Sequence, residues 1–303
     1  MSEAATLPAV LCVGRLYCDL IFTDVPRLPS MGTEVFAGGL GLHAGGGAYI
    51  TAAYLASLGH RSALASLLPG APFRDIVVPE LEQAGLDITL CRPPGPGTDP
   101  QVTVAIAGQS DRAFLTRRAG PASPELRAAD LAKSEIAHLH IGELATLVER
   151  PELLGIAREA GATVSLDCGW DDDLPATRIQ ALLAQVDVFL PNEAEARHLR
   201  ERGVTGPLAP LTVVKKGPAG ATAVMGAKEV SEPAEPVQAV DTTGAGDAFN
   251  AGFLSAWLAG EALQQCLRAG NALGARAIAG RGGYQRVRAH GKPSALTRSE
   301  FAN

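Results

Sequence analysis

Val240-Asp-Thr-Thr-Gly-Ala-Gly-Asp-Ala-Phe249 is the stretch that decides how the rest of the chain is read. Short polar residues lead into Gly244-Ala245-Gly246. The segment that follows, Ala248 to Leu258, lacks proline and is apolar nearly all round a helical wheel. Such a pattern predicts a buried helix beginning near Gly246. Small residues ahead of a helix let an anion reach free backbone N–H groups, and the helix dipole favours negative charge there. Asp247 then needs a reason, because a carboxylate repels a phosphate. Either it caps the helix, as aspartate does well, or it is a general base. A base here would take the proton of a hydroxyl attacking a phosphoryl group held by the neighbouring amides.

Working outward, Ala9 to Val13 followed by Gly14 reads as a buried first strand and a turn, with Asp19 just past the strand's carboxyl end. That edge is where open α/β sheets bind ligands, although a lone aspartate there is also an ordinary turn residue. From His138 onward strands and helices alternate, the sign of a parallel, doubly wound sheet. Val164 to Asp167 brings Asp167 to the same edge, Val186 to Leu190 ends just before Asn192 and Glu195, and Leu211 to Gly217 delivers Lys215, Lys216 and Gly217. Asn192 with Glu195 three residues on is also a capping box. Either lysine can neutralise a phosphate as a point charge. Gly45-Gly46-Gly47 opens a helix that closes at Gly59, and glycines there allow backbone to approach a ligand. Residues 22–42, with Glu34-Val35-Phe36 among them, read as irregular strands. Gln101 to Ile106 and Arg112 to Thr116 read as a hairpin turning at Gly108 to Asp111. Arg112 and Arg118 on it either face an anionic acceptor or are solvated.

Several readings are excluded. Gly39-Leu-Gly-Leu-His-Ala44 fits a dinucleotide pattern, but that reading wants a strand directly before it and an acidic residue about 20 positions on, and around Leu64 there is none before Asp75. No GxxxxGK[ST] occurs, which removes a Walker-type ATPase. His138-Leu-His140 has strand spacing and no further ligand nearby, so it reads as core, not metal site. The chain has 303 residues, 47% hydrophobic and 19% charged, with a formal charge of −6 and no cluster of basic residues. Nucleic acid is therefore not its expected partner, and positive potential for an anion has to be concentrated locally. Five scattered cysteines without CxxC spacing fit a reducing compartment. Neither a leader pattern nor an apolar helix long enough for a membrane span is read, so a cytoplasmic protein is expected.

The string Asp241-Thr-Thr-Gly-Ala-Gly-Asp247 resembles the second signature of the ribokinase-like (PfkB) carbohydrate kinases, and the resemblance runs from about Val10 to Gly283. It implies one α/β unit over residues 1–303, a three-layer α/β/α fold with a mainly parallel sheet. A small β lid would come from about 15–42 and 98–118. The reaction implied is transfer of the γ-phosphoryl group of ATP to a hydroxymethyl group of a sugar or sugar derivative. Asp247 would be the base, and Gly244, Ala245 and Gly246 the anion hole. Asp19, Gly45, Gly46 and Arg112 would hold the acceptor. Asn192, Glu195, Lys215, Gly217, Gly220 and Asn271 would hold the nucleotide, with Glu195 organising the water shell of magnesium. Asp241 and Thr243, with carbonyls near Ala279, resemble the family's monovalent-cation loop, which allows for potassium dependence. A homodimer joined through the lid is likewise allowed. Ile50 departs from the pattern, standing where the family carries an asparagine that touches the acceptor. That departure keeps a nucleoside acceptor open as the alternative. A non-catalytic ligand sensor is opposed by the presence of Asp247 and all three anion-hole residues.

Overall fold

A computed structural model describes residues 7–285 except 97, 99, 108–111, 174, 206–207 and 281. The chain opens with β1 (Ala9–Val13), buried along its whole length, as a strand covered on both faces must be. It leaves at once for β2 (Tyr17–Thr23) and β3 (Gly39–Gly45), returns through α1 (Gly47–Ser57), and pairs β4 (Ser62–Ala65) with β1 in parallel. After α2 (Arg74–Gln83) come β5 (Val102–Ala107) and β6 (Arg112–Arg117), an antiparallel pair whose expected turn lies outside the described residues. There follow α3 (Ala128–Lys133), β7 (Ile136–Ile141), α4 (Leu144–Glu149), α5 (Glu152–Glu159), β8 (Thr163–Asp167), α6 (Ala176–Leu183), β9 (Val188–Leu190), α7 (Glu193–Glu201) and β10 (Leu211–Lys215). Antiparallel β11 (Ala221–Met225) and β12 (Lys228–Glu232) precede the long helices α8 (Ala245–Leu258) and α9 (Leu263–Ala277).

These strands form an eight-stranded sheet of order β12-β11-β10-β9-β8-β7-β1-β4 and a four-stranded sheet of order β3-β2-β5-β6. In the large sheet all neighbours are parallel as far as β10. One buried cluster joins the sheet to α1, α2, α8 and α9, and a second joins its other face to the helices between β6 and β10. From β1 the chain winds first toward β4 and later toward β10, so the order reverses between β1 and β7. A crevice at the carboxyl ends of the strands opens at such a switch point.

The two sheets match the expected architecture, with particular differences. Glu34 to Phe36 forms no strand; its isolated β-branched and aromatic residues have no neighbouring strand to pair with. The dinucleotide-like Gly39 to Ala44 is strand β3, pairing with β2 from Gly39 to Gly45, which extends the small sheet past residue 42. His138 and His140 are buried and share the Ser165 hydroxyl, at 2.7 and 2.8 Å. All five cysteines are free and buried. No helix among the described residues is long and apolar enough to cross a membrane.

Helix α8 is apolar nearly all round because it lies between α1 and α9 in the cluster that covers one face of the sheet, and α8 and α9 meet at small residues. A Cβ on Gly252 would stand 2.5 Å from the Ala269 carbonyl oxygen. Gly252→Ala is therefore expected to push α9 away and to cost about 1–3 kcal/mol, the usual range for overpacking. Denaturant unfolding reads this directly. An unchanged midpoint would show that the helices separate without penalty.

Candidate active site

The site begins with close backbone packing at the switch point. The turns after β1 and β7 are Gly14 and Gly142, and the start of α1 is wedged against both. A Cβ on Gly14 would lie 2.9 Å from the Ala48 Cβ, and one on Gly142 would run into the Ala48 amide nitrogen. This sets Gly45-Gly46-Gly47 over the sheet edge. Two carboxylates then rest on that glycine run: the Asp19 carboxyl packs on Gly45, and Asp247 Oδ1 would be 2.8 Å from a Cβ on Gly47. The chain thus brings Asp19, Gly45, Gly46 and Asp247 together from elements far apart in sequence.

Gly244 caps α8 in the left-handed region, at φ 72°, where its α-carbon lies against the Gly283 carbonyl. The N–H groups of a first helical turn have no partner within the helix; here the Ala245 amide donates back to the Thr242 carbonyl at 3.3 Å, and Gly246 and Asp247 follow it in the turn. Asp241 shapes this turn. Its Oδ1 accepts from the Thr243 amide and hydroxyl at 2.8 and 2.7 Å, and its Oδ2 accepts from the Gly282 amide at 2.9 Å. Ile50 is 3% exposed and points at Gly283, with Cδ1 2.6 Å from where a Cβ on that glycine would be.

At the other strand ends, Asn192 Oδ1 accepts from the Glu195 amide at 2.8 Å while Glu195 Oε2 accepts from the Asn192 amide at 2.7 Å, a complete capping box. Lys215 Nζ donates to Asp167 Oδ1 at 2.9 Å and to Asn250 Oδ1 at 3.1 Å, directly below Gly246. Beside it lies a largely apolar cavity of about 480 Å³, bounded by Gly217, Gly220, Ala245, Phe249, Asn271 and Ile278 among others. Asn271 lines this cavity, but its amide nitrogen is committed to the Glu232 and Pro233 carbonyls at 3.0 and 3.2 Å, which holds the 232–234 segment in place as a wall. Arg118 pairs with Asp171 at 2.6 Å. Arg112 opens β6, and its side chain lies outside the described residues.

Burial governs the electrostatics. Asp247 is half-buried as a residue, yet its carboxyl is enclosed enough that burial, with Asp167, Glu195 and Asp19 nearby, pushes it up to about 7 against the pull of Lys215. Asp19 is pushed up to about 7 by burial, opposed by its hydrogen bond to Thr103 and by His43. Burial also raises Glu195, with Asp167 adding to the effect. Three groups were not singled out from the sequence. Asn250 is a wholly buried polar residue in an apolar helix, and that incongruity was its one visible signal. Arg15 is buried and bonded to Gln101, Gly120 and Glu149, and Glu143 stands 3.5 Å from its Nε. Their partners lie up to 134 residues away, so no local pattern marks them.

Comparison with known proteins shows the family and the fold. The chain is 29% identical over 273 residues to a fructokinase of Rhizobium leguminosarum bv. trifolii, covering 81% of this chain and 78% of the relative. It is 30% identical over 285 residues to an ATP-dependent ribose-1-phosphate kinase of Halopiger xanaduensis, covering 88% and 90%. The nucleoside kinase of Methanocaldococcus jannaschii, an archaeal member of the ribokinase family, has the same fold, with a TM-score of 0.76 at 20% identity over 94% of this chain and 96% of that one. The pfkB family carbohydrate kinase pattern matches residues 8–288. With that match running through nearly the whole chain, the protein belongs to the pfkB family of carbohydrate kinases, phosphotransferases that act on sugar hydroxyl groups.

Proposed function

We propose that the protein transfers the γ-phosphoryl group of ATP to a hydroxymethyl group of a sugar or sugar derivative, with Asp247 as general base. The observation that carries this reading is the placement of Asp247: its carboxyl rests on Gly47, next to the Gly45 on which Asp19 packs, at the first turn of α8. A hydroxyl lying between the two carboxylates would give its proton to Asp247. Charge developing on the transferred group would meet the amides of the Gly244-Ala245-Gly246 turn, preorganised donors, of which Ala245 already donates to the Thr242 carbonyl at 3.3 Å, so that Gly244 and Gly246 are the ones left for the anion. Asp19, Gly45, Gly46 and Arg112 hold the acceptor. The nucleotide occupies the cavity beside Gly217, Gly220 and Asn271, with its phosphates directed toward Lys215 and Asn192. Magnesium keeps several waters and is held by one or two carboxylates together with phosphates, a set of oxygen donors that Glu195 completes through water. Asp241 and Thr243 form the loop that would take potassium. A nucleoside acceptor is the second reading, favoured by Ile50, whose apolar side chain offers no hydrogen bond to a sugar hydroxyl. ATP consumption measured against panels of sugars and nucleosides separates the two readings, and activity with neither would sink both.

Asp247→Asn is expected to lower kcat by on the order of 10²–10⁴-fold while nucleotide binding persists, because an amide accepts no proton. Wild-type kcat/KM should fall as pH drops through about 7, where Asp247 takes up a proton. Stability should move the opposite way. Between its ordinary 3.8 and about 7 the native carboxyl holds a proton that the unfolded one has released, so rising pH costs the fold stability across that window. Asp247→Asn should therefore melt higher than wild type at pH 8, with the gap closing toward pH 4. A mutant with near-normal turnover, or a gap that widens in acid, would contradict the assignment.

The small sheet is the expected lid, and a second copy of the chain is its expected partner. Residues directly opposite on neighbouring strands share a face. Leu42, Leu20, Val104 and Leu115 thus form one apolar row, and Leu40, Phe22, Ile106 and Ala113 the next. Leu115 is 74% exposed and Leu40 54%. Leu115→Asp with Leu40→Asp should yield a monomer by light scattering where the wild type gives a dimer. Equal masses for the two proteins would remove this face as the interface.

A further inference from the structure

Beneath the first turn of α8 lies a buried triangle. Lys215 Nζ is 2.9 Å from Asp167 Oδ1 and 3.1 Å from Asn250 Oδ1, and Asn250 Nδ2 donates to Asp167 Oδ2 at 2.6 Å. The Lys215 and Asp167 side chains are each 11% exposed, and Asn250 is fully buried. Asn250 stands three residues beyond Asp247, so both project from the same side of α8. The triangle therefore ties the turn that carries Asp247 to the ends of β8 and β10.

Stability alone is a weak reason for such a group, since well-packed apolar residues commonly replace a buried ion pair without loss. Its surroundings suggest a use. Asp247 is faced by Asp167 from β8, Lys215 from β10, Glu195 from α7 and Asp19 from β2, with the Cys12 thiol of β1 and the Tyr54 phenol of α1 also within its field. Among these groups Lys215 is the cation. Burial works to lower the proton affinity of its ammonium, but Asp167 and Glu195 outweigh burial and keep it charged. We infer that the Asp167–Lys215 pair, fastened to α8 through Asn250, is a positioning device for Asp247: it fixes both the place of that carboxylate over Gly47 and the charge it faces. Lys215 so placed acts through Asp247 in addition to any contact with a phosphate. The inference rests on the proposed role of Asp247 as base.

The two members of the pair pull in opposite directions, and that gives the test its sign. Acceptor kcat/KM is followed against pH in the full-length protein, with ATP and magnesium saturating and the best acceptor of the sugar and nucleoside panels. Lys215→Met leaves Asp247 facing uncompensated carboxylates, so the acid limb should move to higher pH by about one unit or more. Asp167→Asn removes a neighbouring negative charge, so the limb should move to lower pH. The double variant should return toward wild type, and Lys215→Arg, which keeps the charge, should stay near it. A purely structural role would lower turnover or melting temperature without moving the limb in opposite senses. Should Lys215→Met melt below the assay temperature, the shift in Asp167→Asn reads the same field, and a limb that stays put there overturns the inference. Limbs that do not move, or that move together, also overturn it. If Asp247→Asn is inactive in that case, the kinase reading survives. If Asp247→Asn turns over normally, the base assignment itself has failed.

Discussion

The whole site hangs on backbone meeting backbone at the switch point of the large sheet. Gly14 and Gly142 end adjacent parallel strands, and Ala48 occupies the gap between them at a distance that admits no side chain on Gly142. This contact holds α1 in place, and α1 in turn carries the glycine run on which both carboxylates rest. Helix α8 is keyed to the same element, since the Thr51 hydroxyl donates to the Asp247 carbonyl at 3.3 Å. A methyl group at Gly47 would displace the Asp247 carboxylate. Small residues here are therefore a condition of the geometry. Proteins this tightly packed transmit such a shift instead of absorbing it.

Charge is arranged with the same economy. A chain of net charge −6 that handles polyphosphate needs its positive potential where the phosphates lie. Lys215 is already paired with Asp167, so under the proposed reading the amides at the start of α8 would supply much of that potential. Backbone dipoles cannot be titrated away and need not reorganise during reaction. The charge of Lys215 lies among those of Asp167, Glu195 and Asp247 and opposes the rise of the Asp247 carboxyl.

What the sequence disclosed follows from range. The glycine turn that opens α8, the Asn192–Glu195 capping box and β10 with its terminal lysine are local patterns, and each lies in the structure where its pattern placed it. The Asn250–Asp167 bond spans 83 residues and the Lys215–Asp167 bond 48. Periodicity shows a residue to be buried but not what it is buried against. Ile50 illustrates the difference. Its departure from the family pattern was visible in the sequence, whereas its packing against Gly283 became visible only once the 282–283 segment was seen to fold back over α1. Glu34 to Phe36 failed for the converse reason: local strand propensity is worth little without a partner strand.

The two carboxylates on the glycine run also bear on how an acceptor would be chosen. Asp19 and Asp247 are both pushed up to about 7 chiefly by burial, and Asp19 is among the charges that raise Asp247. Hydroxyl groups donating to Asp19 would favour its ionised form. That new negative charge would make Asp247 a stronger base at the moment an acceptor is in place. An acceptor lacking a hydroxyl at this point would leave Asp19 with Thr103 alone as hydrogen-bond donor, and burial would then favour its protonated form. Under the proposed reading the site thus asks for opposite things on its two sides, a hydroxyl toward Asp19 and an apolar edge toward Ile50. Binding and base strength would then be coupled through one carboxylate, and an acceptor would be selected by the proton transfer it permits as much as by its fit.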